Sequence, residues 1–241
     1  DLGVRYFATV RACDKVGLCS TASSDGFVVD DTAPALVNVR FVTGLSIDAA
    51  AVADPETLTY ESRSLGVGSN LTVFRGTIFT SIATDVRVSW SGLVEAESSL
   101  VRIDRALGTA WNTTDVVPWI RGAVGTRASI DGINLEQNGT YFFHLRALNA
   151  AGLMTRLVSP AIRVDLTGPS CSVSFGDSLT AHPATATSEL PVFTFLCADD
   201  ESGIDRVEYW IGANFPGAFD VLPRTPVLPP AGAATTIGVV A

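Results

Sequence analysis

Few residues in this 241-residue chain have the type and spacing that chemistry requires. Four cysteines fall as two local pairs, Cys13/Cys19 and Cys171/Cys197. Neither pair has the Cys-x-x-Cys spacing of a zinc site, which leaves disulfides or buried free thiols. Sequons at Asn70, Asn112 and Asn138 would accept N-linked glycans in an exported chain, and all three fall in predicted loops or turns; the bland alternative is bare polar turns. Gly176-Asp177-Ser178-Leu179 places a serine in a hydrolase-like block, but the downstream Asp-x-x-His that would activate it is missing. Gly66-Val67-Gly68-Ser69-Asn70-Leu71 has two glycines of a dinucleotide fingerprint, with Leu71 in place of the third and no βαβ context. His144 and His182 are too few for a His-based metal site and read as solvated surface residues. Two acidic clusters, Asp25/Asp30/Asp31 and Asp199/Asp200/Glu201, could contribute to calcium, which needs six to eight oxygens; the competing reading is surface charge and turn chemistry. No other cofactor is implied.

The elements that must position these residues are organised by an internal repeat. Tyr6 to Pro34 overlays Tyr141 to Pro169 without gaps, at a constant offset of 135 and with eleven identities in 29 positions. A second match joins Glu97-Ser98-Ser99-Leu100 to Glu201-Ser202-Gly203-Ile204, and Asp115-Val116-Val117-Pro118 to Asp220-Val221-Leu222-Pro223, at offsets of 104 to 105. A long-period repeat signals a tandem array. The division expected is a partial repeat over 1–33, a complete repeat over 34–168 with an insertion near 52–81, and the beginning of a further repeat over 169–241. Cys13 and Cys19 align with Leu148 and Met154, so that pair is present or absent as a unit, as a hairpin disulfide predicts. Cys171 opens the first strand of the last repeat and Cys197 closes the second, so antiparallel pairing would bring them opposite one another.

Period-2 alternation and turn residues place strands of the complete repeat near 35–42, 84–91, 100–107, 115–120, 126–134, 139–148 and 155–165. Along 141–147, Tyr141, Phe143, Leu145 and Ala147 share one face, with Phe142, His144 and Arg146 on the other. No ten-residue window has a convincing helical period, and short strands at this spacing predict an all-β protein of β-sandwiches. The order Trp90, Glu97-Ser98-Ser99, Gly139-Thr140-Tyr141, Arg146-Ala147-Leu148-Asn149-Ala150-Ala151-Gly152 and Val164-Asp165-Leu166-Thr167-Gly168-Pro169 resembles the tandem fibronectin type III-like and immunoglobulin-like repeats of large extracellular proteins. Such repeats act as spacers, adhesive modules or fibre subunits, and one bearer would be a protein of the surface hairs of algal flagella. Val29-Asp30-Asp31-Thr32-Ala33-Pro34 reads as a short stiff linker, and Pro223, Pro226, Pro229 and Pro230 as an extended loop.

Composition excludes some partners. Lys+Arg total 16 against 25 Asp+Glu, a net charge of −9 with no basic run, which disfavours nucleic acid and anionic membrane surfaces. No apolar run reaches the length of a membrane span. The chain begins at Asp1 without a signal-peptide pattern, so a mature or excised segment is expected. By the repeat phase it starts with the closing strands of one sandwich and stops before the same strands of another. Two explanations follow: a piece of a longer tandem chain, or completion of 169–241 in one copy by 1–33 of another. The function expected is a non-enzymatic, secreted structural protein forming a rod or filament, with copies of itself or neighbouring repeats as partners. A cell-surface adhesin or receptor binding a protein or carbohydrate is the alternative.

Overall fold

The computed structural model describes residues 2–36, 41–43, 60–66, 69–175, 193–211, 213, 222–227 and 236–240. The described residues form strands and turns without a helix, and the all-β class is as expected. Before Pro34 lie β1 (Arg5–Tyr6), β2 (Thr9–Cys13), β3 (Cys19–Ser23) and β4 (Phe27–Val28). Next come β5 (Ala35–Leu36), β6 (Phe41–Thr43), β7 (Tyr60–Gly66), β8 (Ser69–Phe74), β9 (Thr77–Thr80), β10 (Asp85–Trp90) and β11 (Leu93–Val94). They are followed by β12 (Leu100–Gly108), β13 (Val117–Ile120), β14 (Arg127–Asp131), β15 (Thr140–Asn149), β16 (Met154–Val158) and β17 (Ala161–Val164). The remainder holds β18 (Ser170–Phe175), β19 (Phe193–Ala198), β20 (Val207–Ile211), β21 (Leu222–Val227) and β22 (Thr236–Val240).

The chain divides into two compact units, Asp1–Leu166 and Thr167–Ala241. In the first, β14-β10-β6 make one sheet, and β13-β12-β15-β16-β8-β7 make another that β17 and β9 extend. Val86, Val88 and Trp90 of β10 and Ile130 of β14 meet Ile103, Leu107, Phe143, Leu145, Leu157 and Ile162 from the second sheet in one core. Two sheets closed over a shared apolar layer fit a β-sandwich. The alternation read for 141–147 decides which face is inside: Tyr141, Phe143, Leu145 and Ala147 are all buried, and each large side chain contributes roughly 1.5–3 kcal/mol. Glu136 N–H donates to the Tyr141 hydroxyl (3.0 Å), and a Cβ at Gly139 would lie 2.6 Å from the Tyr141 ring, so that turn needs glycine for close approach.

Several expected elements come out differently. The segment 155–165 is two strands, β16 and β17, because Pro160 has no N–H; Ser159 Oγ bridges the break, accepting from Phe143 N–H (2.8 Å) and donating to Pro160 O (2.8 Å). The insertion contains β7, β8 and β9, and the latter two pair in parallel with β16 and β17. Within 35–42 only β5 and the first residues of β6 are described. Pro223 and Pro226 lie within β21, whereas Pro229 and Pro230 fall outside the described residues. The linker before Pro34 is bonded to the sandwich, as described below.

In the second unit, β18-β19-β22 form one sheet and β20-β21 another. Their registers follow the sequence offsets. Cys171 pairs with Cys197 where Leu36 pairs with Leu93, and Tyr209↔Thr225 and Ile211↔Leu222 repeat Arg105↔Ile120 and Leu107↔Val117, with a register shift inside each pair of positions.

Candidate functional site

The hairpin β2–β3 and the hairpin β15–β16 are built alike. Cys13↔Cys19 and Val10↔Ala22 occupy the registers of Leu148↔Met154 and Leu145↔Leu157. Their turns share the same bonds: Leu18 N–H donates to Asp14 Oδ1 (2.9 Å) as Leu153 N–H does to Asn149 Oδ1 (2.8 Å), and Gly17 and Gly152 have φ of 90° and 85°. Their surroundings differ. Val10, Phe27 and Val29 are 67%, 57% and 40% exposed, whereas the matching Leu145, Ile162 and Val164 are at most 1% exposed. Among the described residues β2 pairs only with β3 and β20 only with β21, whereas β15 and β12 pair directly with each other. Val10, Phe27 and Val29 are therefore exposed, and among the described residues β2 and β20 each have a partner strand on one edge only.

A second constellation ties residues 30–34 to the sandwich. Asn149, 1% exposed, directs Nδ2 at Asp30 Oδ2 (2.8 Å), Thr32 O (3.0 Å) and Glu95 Oε2 (3.1 Å). Ser98 Oγ–H also donates to Asp30 Oδ2, Thr32 Oγ1–H donates to Glu97 Oε2 (2.9 Å), and Glu95 Oε1 caps the Glu97 N–H (3.0 Å). Thr155 Oγ1–H donates to Pro34 O. Oxygens of Asp30, Glu95 and Glu97 converge within 4.8 Å. As arranged, an amide nitrogen donates into this group of carboxylates and holds two of them, Asp30 and Glu95, in a hydrogen-bonded clamp. Asp25 and Asp31 are not part of the group. In the other acidic cluster, Asp199 Oδ1 accepts from the Glu201, Ser202 and Gly203 N–H groups (3.1, 2.9 and 2.8 Å), which is turn chemistry.

Both disulfides form as paired above, Cys13–Cys19 and Cys171–Cys197, and no free cysteine remains. That fits an oxidising compartment. No helix among the described residues is long and apolar enough to cross a membrane. Asn112 and Asn138 lie in turns, as expected. Asn70 does not: it is in β8, between Ser64 of β7 and Thr155 of β16, although its side chain is exposed. Residues 176–192 are outside the described residues, and with them the Gly176–Leu179 block and His182.

His144 is a correction. It lies on the face opposite the core, as alternation requires, yet it is fully buried, with the Trp119 ring edge-on at 6.2 Å. Burial, helped by the charge of Arg156, lowers its pKa to about 4. Beside it, Arg146 lies 4.6 Å and Arg156 5.5 Å from the Trp119 ring centre. Buried Asp104 joins Arg146 (2.7 Å) to Arg102 (2.9 Å). Asp115, held well below the usual carboxylate range by the Thr109 and Thr113 hydroxyls and the Thr109 N–H, fixes the loop that carries Asn112. Sequence reading missed the Asn149 constellation because its members are remote in the chain; the available signal was the offset of 104, which equates Glu95 with Asp199 as the acid leading each turn.

A groove of about 620 Å³ lined by Arg105, Val117, Ser129, Ile130 and Asp131 contains a hydrogen bond from the Ser129 hydroxyl to Asp131 Oδ2 (2.8 Å). No protein-family model matches the chain, and no curated protein matches it either.

Proposed function

We propose that the chain is a non-enzymatic, extracellular structural protein whose tandem fibronectin type III-like or immunoglobulin-like sandwiches build a rod or filament. The observation that carries this reading is the recurrence of one pairing scheme at the sequence offsets, down to the matched register shifts in β12–β13 and β20–β21. Repeated units joined by short clamped segments propagate in one direction. The two disulfides support export, and the exposed Asn112 and Asn138 give glycans room. Electron microscopy of native material tests the reading: long periodic polymers are expected, and dispersed monomers would overturn it. Glycosidase treatment followed by intact-mass measurement tests the glycans, with a loss of mass expected. Esterase assays with and without Ser178→Ala are expected to give the same background rate.

A further inference from the structure

Arg105 stands on the core-facing row of β12 with its chemistry unused. Its neighbours in that row, Ile103 and Leu107, are buried in the core, and across the ladder it pairs with buried Leu145. Among the described residues its guanidinium makes no ion pair and donates no hydrogen bond, and its Nε is buried without a partner. A desolvated donor without an acceptor is destabilising. The sandwich does not require a cation at this place: the counterpart in the β20–β21 register, Tyr209, sets its ring against Phe195, with centroids 5.6 Å apart. The guanidinium also has a prepared seat. A Cβ at Gly122 would meet Ile103 O at 2.4 Å and Arg105 Nη1 at 3.3 Å, so only glycine leaves that room. The β12–β13 register shifts between Arg105 and Leu107, an irregularity of the kind that re-aims a side chain at a sheet edge.

Arg105 lines the groove of about 620 Å³ whose walls come from β13, β14 and the turn after β14. In their sheets β14 and β13 are the strands farthest from β6 and β7, which flank residues 44–59. We propose that this groove binds a small aliphatic monocarboxylate, with its carboxylate on Arg105 and its hydrocarbon body along Val117, Ile120, Ile130 and Ile133. Three observations select that class. The unused planar guanidinium offers paired N–H donors that match a carboxylate. Every apolar residue of the lining is a valine or an isoleucine, and the volume suits a small molecule. Asp131, which accepts from the Ser129 hydroxyl in the same groove, opposes a second negative charge on the ligand. The proposal adds to the filament reading and does not depend on it.

The test titrates the whole isotope-labelled chain with sodium hexanoate. NMR follows the Arg105 Nε–H signal and the backbone amides of β13 and β14, with hexanol and sodium sulfate as controls. Saturable shifts are expected with hexanoate, and affinity at least about tenfold weaker for either control, as loss of a charge-assisted hydrogen bond or of apolar contact predicts. Arg105→Gln should abolish saturation, with thermal unfolding as the check that the variant is folded. Ile120→Asp changes an exposed wall position and keeps Arg105, and it should weaken hexanoate binding by about tenfold through like-charge repulsion. No shift up to the solubility of hexanoate overturns the proposal. So do equal affinities for hexanol, which would mean apolar adsorption, or for sulfate, which would mean a bare anion site. Binding that both variants leave unchanged overturns it as well.

Discussion

The hairpins Thr9–Ser23 and Thr140–Val158 differ less in what they are than in what covers them. Turn hydrogen bonds, positive-φ glycines and cross-strand registers coincide, and the bond from Ser159 N–H to Phe143 O (2.9 Å) has its counterpart from Ser24 N–H to Ala8 O (2.8 Å). Every residue of β2 and β3 is nevertheless exposed, whereas β15 is largely buried. Hairpin geometry is therefore set locally, by an Asx turn and a left-handed glycine, and does not wait for a core. Burial is added by the neighbouring strands.

That contrast can be broken most sharply at one aligned position. Leu145→Ala should destabilise the first unit by about 3 kcal/mol, measured by denaturant unfolding, because a fully buried side chain leaves a cavity. Val10→Ala, at the same place in the other hairpin, should leave the unfolding of dilute monomer within about 0.5 kcal/mol. Equal costs would mean that Val10 is already covered.

The outward faces differ in pH response. With His144 lowered to about 4 in the folded state and an ordinary value of 6.5 when unfolded, protons bind the unfolded chain preferentially between those values. Stability is full above pH 6.5 and falls by up to about 3 kcal/mol as pH drops to 4, and His144→Leu should flatten that limb of the profile. Thr9, its counterpart, contributes no such limb.

Asn149 and Asp14 are aligned, but only Asn149 is buried among acids. Asn149→Ala should cost about 2 kcal/mol in thermal unfolding by leaving the Asp30, Thr32 and Glu95 acceptors short of a donor. Calcium chelation should leave the transition in place.

Backbone effects are smaller and should agree between copies. Gly17→Ala and Gly152→Ala each meet no atom within 4 Å of the new Cβ, so both should lose the same ~1 kcal/mol from left-handed backbone alone. Ser99 has φ of 77° where its counterpart Gly203 has 80°, and Ser99→Gly should gain roughly 0.5–1 kcal/mol.

These positions also mark what could be read from residues alone. The inner face of β15 was legible because its aromatic and aliphatic residues alternate strictly, and the disulfide partners because Cys13 and Cys19 replace Leu148 and Met154 together while Cys171 and Cys197 sit at the ends of two strands expected to pair antiparallel. Burial of His144 was not legible: periodicity assigns a face, while Trp119 comes from β13, whose packing leaves no trace in the spacing of β15. The strands of the insertion were missed for a related reason. Tyr60–Gly66 is polar and lacks alternation, and the parallel pairing of β8 with β16 joins residues far apart in sequence. Asn149 ends β15 and its Oδ1 closes the following turn, but its amide nitrogen serves a separate purpose on the other side of the same residue.

The three bonds to Asn149 Nδ2 have a mechanical consequence. A load pulling the β1–β4 segment away from the sandwich would reach Asp30 and Thr32 before it reached Pro34, and the contacts of both meet at one nitrogen anchored at the end of β15. The bonds would be stretched together instead of peeled one after another. Tension would therefore pass into the longest strand of the core, and the proline step behind the clamp would remain slack until the clamp gave way.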